Sequence, residues 1–302
     1  MKKVRSLAKT SCYNKRVNGK NWMPLPCFPY SRKIQRLQAA FSMESEGKFM
    51  TNPIEFDLSI GKKKPYSSKG NPCPFCDPGA LTHILDRRGD MIWCMNKYPV
   101  FHGTWPTVLI ETSDHDGELS RYSPEKLHDV IRFGMEKWEE TEKNPAFRSV
   151  IYFRNYGPHS GGSQRHPHSQ IIGLYDYDYR DNIATENFLG APVYEDGDCY
   201  VTLSDYPICS MAEFNISLKK EGNIAGFADA IQHIARFVLT DFPIPCDSYN
   251  LFFYHLRGHI RVKVFPRYIA SPLYMGYRIT QVVDSTSRQY ILDTLRSESY
   301  FG

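Results

Sequence analysis

The order strand, helix, strand, strand occurs twice along this chain, and that recurrence limits the fold more than any other feature. In the first half, Met91 to Met95 and Thr107 to Glu111 read as strands, and Ser149 to Arg154 and Gln170 to Leu174 as two more. Between them runs SPEKLHDVIRFGMEKWEE, with Ser123 placed to cap a helix, Pro124 in its first turn, and Leu127, Val130, Ile131, Gly134 and Trp138 on one stripe. In the second half EFNISL is a strand, FADAIQHIARFVLTDF a helix striped by Phe227, Ile231, Ile234 and Val238, and SYNLFFYHL and HIRVKVF two further strands. Such a pattern predicts an internal duplication in an α+β chain. The stretch from Asp176 to Pro207, rich in Tyr, Asp, Gly and Pro, has weak periodicity and reads as the connector. A division near residue 205 follows, with a first half over 51–205 and a second over 206–302.

The 302 residues allow a sizeable core, and no apolar run approaches the roughly 20 residues of a membrane span, so a soluble protein with no membrane partner is expected. The formal charge of +4 is unevenly spread. Residues 1–49 hold 11 Lys or Arg against Glu44 and Glu46, a balance of +9, while the other 26 basic and 31 acidic residues give −5. A mildly acidic body argues against a nucleic-acid partner, so any phosphate site must be local. The basic stretch over 1–50 lacks the apolar segment of a secretory leader. It is expected to stand outside the fold as a disordered extension, a targeting segment, or an upstream start ahead of Met43 or Met50. Eight cysteines in a chain of this length suggest a reducing compartment, the cytoplasm, with at most one metal site.

The densest chemistry lies in FRNYGPHSGGSQRHPHSQIIG, from Phe153 to Gly173. His166, His168 and Gln170 are two apart, so an extended backbone would turn all three to one face, and Pro167 marks a strand entrance or an edge. Just upstream, Gly161 and Gly162 in SGGS allow the backbone to approach a ligand and aim N–H groups at an anion. A neutral imidazole can attack phosphorus and later leave, splitting one difficult transfer into two steps. It needs one ring nitrogen free and the other held as a donor, commonly by a backbone carbonyl. Paired histidines in a loop, or plain metal ligation, are the alternatives.

In NPCPFCDPG, Cys73 and Cys76 form a CxxC in a tight turn that can aim two thiolates at one metal. His115 and His166 are candidates for the remaining two positions; a redox pair or two unremarkable cysteines are the competing readings.

The string Asn155, Gly161, Ser163, His166, Pro167, His168, Gln170 resembles the active-site pattern of galactose-1-phosphate uridylyltransferases, in the histidine-triad superfamily. The resemblance covers about residues 51–283 and is closest to a bacterial branch of that family. It implies a doubled fold of two half-barrel sheets with helices, and often a homodimer. It implies that His168 is the nucleophile, that Gln170 and Ser163 stabilise the bound phosphates, and that one structural zinc ion is held by Cys73, Cys76, His115 and His166. Asn96, in NKYPVF, looks like the family's nucleoside-binding element, and Asn155, Gly161 and Gly162 join it in the nucleotide site. The implied activity is movement of a nucleoside monophosphate from a nucleotide sugar, through nucleotidyl-histidine, to a sugar phosphate. Gln170, an amide that cannot exchange a proton, favours transfer over hydrolysis. A nucleotide phosphohydrolase on the same scaffold and a catalytically silent, zinc-braced nucleotide-binding protein are the alternatives. Arg165, Lys97 and Arg267 are candidate phosphate contacts. The second half departs from the family, with Val262 and Val264 where the family often carries histidines, so a second metal is not expected and the choice of sugar is open.

Overall fold

A computed structural model of the chain describes residues 14–17, 21–24, 53–65, 72–219, 222–256, 258–268 and 271–302. The chain divides into two units, Met1–Asn52 and Pro53–Gly302. Of the first, the described residues are two short antiparallel strands, β1 (Asn14–Val17) and β2 (Asn21–Pro24). The rest of the basic extension expected over 1–50 lies outside the described residues.

In the second unit a short helix, α1 (Leu58–Lys63), precedes the strands β3 (Ile84–Arg88), β4 (Met91–Met95) and β5 (Thr104–Ile110). The long helix α2 (Pro124–Glu142) leads into β6 (Ser149–Tyr156) and β7 (His168–Leu174). The same succession returns as β8 (Gly190–Glu195), β9 (Cys199–Ser204), β10 (Phe214–Lys219), helix α3 (Ile224–Thr240), β11 (Tyr249–Leu256) and β12 (His259–Pro266). Two further helices, α4 (Pro272–Tyr277) and α5 (Ser285–Leu295), close the chain. Among the described residues no helix is long and apolar enough to cross a membrane.

All ten of these strands form one antiparallel sheet in the order β3-β4-β5-β7-β6-β11-β12-β10-β9-β8. The order reads alike from either edge when β3–β7 are matched to β8–β12, so the duplication expected from the sequence is a topological one. The halves are not separate sheets, because β6 and β11 pair, with Asn155 opposite Asn250 and Phe153 opposite Phe252. The expected connector is also different. Residues 190–204 form β8 and β9, and β9 pairs with β10, so the division expected near residue 205 falls between hydrogen-bonded neighbours.

Helices α2 and α3 cover one face. Ser123 caps α2 by accepting from the Lys126 N–H, and the whole predicted stripe, Leu127 to Trp138, is buried. Gly134 belongs to that stripe because Tyr152 of β6 lies beneath it: a Cβ there would stand 2.8 Å from the Tyr152 Cζ. The stripe of α3, Phe227, Ile231, Ile234 and Val238, joins α2 and the strands in one core that spans both halves. The opposite face of β7 is left for the site.

Candidate active site and metal centre

Pro167 has no N–H to give a ladder, and β7 begins at the next residue. Its carbonyl still accepts from the Glu111 N–H, which seats the strand against the end of β5. Of the three residues expected to share a face, His168 and Gln170 do, and both line a cleft of about 320 Å³. His166 lies outside the strand, fully buried, and does not line that cleft.

The His168 ring is buried and tilted against Phe75, with ring centres 5.2 Å apart. Its Nδ1 lies 2.7 Å from the His166 carbonyl oxygen, which can only accept, so Nδ1 carries the hydrogen and Nε2 keeps its lone pair. Burial lowers the ring's pKa below the ordinary imidazole value, more than the bond to His166 raises it. The ring is therefore a neutral base with one open nitrogen.

Around it the cleft gathers Gly161, Gly162, Ser163 and Gln164 from the β6–β7 loop, and Asn96, Lys97 and Tyr98 from the turn after β4. Gly161 has φ +83°, a left-handed conformation that suits glycine, and a Cβ there would meet nothing within 4 Å. Asn96 holds its own turn, its side-chain oxygen accepting from the Tyr98 N–H at 2.9 Å. Asn155 lies beneath the loop and does not line the cleft: a Cβ on Gly162 would come within 3.3 Å of the Asn155 Cβ.

The four residues expected to bind metal come together. Their ligand atoms, from Cys73, Cys76, His115 and His166, all lie within 4.8 Å of one another. Cys76 Sγ is 3.2 Å from His115 Nδ1 and 3.5 Å from His166 Nδ1. In a tetrahedron of zinc bonds, neighbouring sulfur and nitrogen ligands stand about 3.6 Å apart, so these spacings suit it. His166 is oriented for the task, because its Nε2–H donates to the Thr112 carbonyl at 2.8 Å and leaves Nδ1 for the cluster. Two cysteines and two histidines thus make a four-residue set that could hold a metal ion.

The three cations singled out from the sequence separate. Lys97 lines the cleft. Arg165 is exposed, pairs with Asp116 at 2.9 Å, and does not line it. Arg267 lines a different cleft and donates from Nε to the His159 carbonyl at 3.3 Å. Sequence reasoning missed Lys64 and Gln164. Lys64, after α1, is half-buried in the cleft wall, and burial lowers its pKa. Gln164 donates from its amide to the Pro65 carbonyl, while its Oε1 is buried without a partner among the described residues. Also missed was Arg154, buried under the sheet, whose guanidinium donates to Glu111 at 2.9 Å and to the Tyr249 hydroxyl at 2.8 Å. A charged residue at an inward strand position is the signal that could have marked it.

Solved structures share this architecture. One is a uridylyltransferase, with a TM-score of 0.59 and 17% identity, covering 79% of this chain and 96% of that one. Another is an ADP-glucose phosphorylase from Arabidopsis thaliana with bound ADP-glucose, with a TM-score of 0.59 and 13% identity, covering 80% and 99%. At these identities the likeness is one of fold, and the class is the histidine-triad-like fold of the uridylyltransferase kind. More narrowly, the chain belongs to the DUF4931 family. The family's N-terminal domain, a domain of unknown function, matches residues 56–177, and its C-terminal domain matches residues 180–301. A DUF4931 family protein from Bacillus cereus ATCC 10987 is 42% identical, with a TM-score of 0.65, covering 71% of this chain and all of that one. A galactose-1-phosphate uridylyltransferase from Streptomyces lividans is 29% identical over 132 residues, 40% of this chain and 37% of its own length. The matched stretch is thus little more than a third of that relative.

Proposed function

We propose that the chain moves a nucleoside monophosphate from a nucleotide sugar to a phosphorylated acceptor through a covalent nucleotidyl-His168. The observation that carries this reading is the His168 ring itself: Nδ1–H is committed to the His166 carbonyl, and the ring lines a cleft shared with the Gly161–Ser163 loop. In the first step Nε2 attacks the α-phosphorus, a P–N bond forms, the P–O bond to the sugar phosphate breaks, and the sugar phosphate leaves. In the second, a phosphate oxygen of the acceptor attacks the same phosphorus, the P–N bond breaks, and the neutral ring is returned. No separate base is needed to activate the nucleophile, because burial already keeps it neutral.

The loop of Gly161, Gly162 and Ser163 is assigned, with Gln170, to the phosphates, and Asn96 and Asn155 to the nucleotide. Lys64 and Lys97 supply positive charge in the same cleft. Cys73, Cys76, His115 and His166 would hold one zinc ion, which braces the cleft wall rather than entering the reaction. Gln170, at the position after the nucleophile on the same face, has no proton to exchange with a water, which supports transfer over hydrolysis.

A panel of nucleotide sugars, each with and without sugar phosphates or inorganic phosphate, tests the assignment. The expected result is nucleotide transfer that depends on the phosphorylated acceptor. Nucleotide release at the same rate without any acceptor would replace the transferase reading by a phosphohydrolase.

A further inference from the structure

The loop assigned to the phosphates belongs to the first half, yet residues 159 and 160 are tied down from the second. Asn250 of β11 is buried and faces Asn155 directly across the seam between the halves. Its Nδ2 donates one hydrogen to Asn155 Oδ1 at 2.6 Å and the other to the Ser160 carbonyl at 2.9 Å. Two residues earlier, Ser248 Oγ accepts from the His159 N–H at 3.0 Å and donates to Asp247 at 2.7 Å. The loop is moulded onto this ground. Gly157, with φ +84°, passes so close that a Cβ would stand 2.7 Å from the Ser248 Cα. Ser160 Oγ then closes the turn by donating to the Gly157 carbonyl at 2.7 Å, and it accepts from the Gly162 N–H at 3.3 Å.

We propose that Asn250 is a positioning residue: its single amide fixes the nucleotide loop at Ser160 and turns the Asn155 amide so that its N–H groups point away from the seam. The inference rests on the reading of the His168 cleft as a nucleotide site. Its physical content is one of polarity. With Asn155 Oδ1 engaged by a donor, Asn155 can present only donors outward, which suits an anionic or hydroxyl-bearing ligand. An acceptor at position 250 would reverse that, because Asn155 would rotate its Nδ2 inward and present Oδ1. The second half would thus shape the site without touching substrate, through β11.

The tests are Asn250→Asp, Asn250→Ala and Asn155→Asp, read by amide hydrogen exchange and by titration with UDP and with ADP, in protein of normal metal content. Asn250→Asp and Asn250→Ala should speed exchange at 159–162 at least tenfold and weaken nucleoside diphosphate binding at least tenfold. Exchange in β4, β5 and α2 should stay as in the parent protein. Asn250→Asp should bind more weakly than Asn250→Ala, since it reverses the polarity of Asn155 rather than only freeing it. Asn155→Asp keeps the acceptor for Asn250, so it should leave loop exchange within about twofold of the parent while weakening nucleotide binding. Unchanged loop exchange in both Asn250 variants, or binding within twofold of the parent despite a freed loop, would overturn the proposal. If Asn250→Asp exchanges fast throughout, Asn250→Ala decides. A parent protein that binds neither nucleotide sinks the nucleotide reading, while loop exchange still decides whether Asn250 holds the loop.

Discussion

At the scale of single residues the account turns on a ring that is buried, neutral and held by one side. Because burial lowers the His168 pKa, the ring stays unprotonated below the ordinary imidazole value of about 6.5. The acid limb of kcat/KM, measured under conditions that keep the metal bound, should therefore fall below 6.5, and a limb at or above 6.5 would contradict the assignment. The same shift has a stability sign. Between the folded and unfolded values only the unfolded chain takes up the proton, so the ring's contribution is whole above about 6.5 and is lost as pH falls from there through the folded value. The sequence made His168 and Gln170 readable because a two-residue spacing on a strand is local geometry. His166 escaped that geometry because Pro167 keeps it out of the strand, which begins at His168. Lys64 and Gln164 were not readable, since their places in the cleft depend on a segment about 100 residues earlier packing against the loop.

At the scale of elements, α2 was readable nearly to the residue because its cap, its first-turn proline and its buried stripe are all local signals. The strands β8 and β9 were not. Their alternation is broken by a register shift between Pro192 and Tyr194, so the stretch passes for a connector until its neighbours in the sheet are known. Gly134 marks how closely α2 sits on the sheet. Gly134→Ala should gain about 1 kcal/mol of helix propensity and lose about 1–3 kcal/mol to overpacking against Tyr152, a net destabilisation measurable by urea titration. Adding Tyr152→Phe, which removes the hydroxyl nearest that position, should recover part of the loss; a Gly134→Ala protein more stable than its parent would show that the helix stands further off. The Cys73, Cys76, His115 and His166 cluster, which could hold a metal ion, brings the loop at 73–76 to the turn at His115 and the entrance of β7. Cys73→Ser should lower metal content from one ion per chain and lower the melting temperature together, since metal binding at a closed site contributes folding free energy. Normal metal content in that variant would remove Cys73 from the ligand set.

At the scale of the whole molecule, one sheet carries two topologically equal halves with unequal equipment. A single row of paired residues runs from Gln170 through Phe153 and Phe252 to Lys263, so Lys263 stands in β12 where Gln170 stands in β7. There Lys263 is fully buried against Glu213 at 2.8 Å, and the Glu213 carboxylate accepts the N–H groups of Ile208, Cys209 and Ser210. The protein's own carboxylate thus fills the second half's ground, and one reactive imidazole per chain is expected. The duplication could be seen in the order of predicted elements, but the seam between β6 and β11 could not, because strand pairing across about 95 residues leaves no local mark. Whether His168 takes up a nucleotide can be read from the mass of the intact protein after exposure to mixed nucleotide sugars. One added nucleoside monophosphate per chain is expected, released by a phosphorylated acceptor and absent in His168→Gly protein that keeps its metal. An adduct of the same mass on His168→Gly, or none on the parent protein that nonetheless turns over nucleotide sugar, would contradict that uptake.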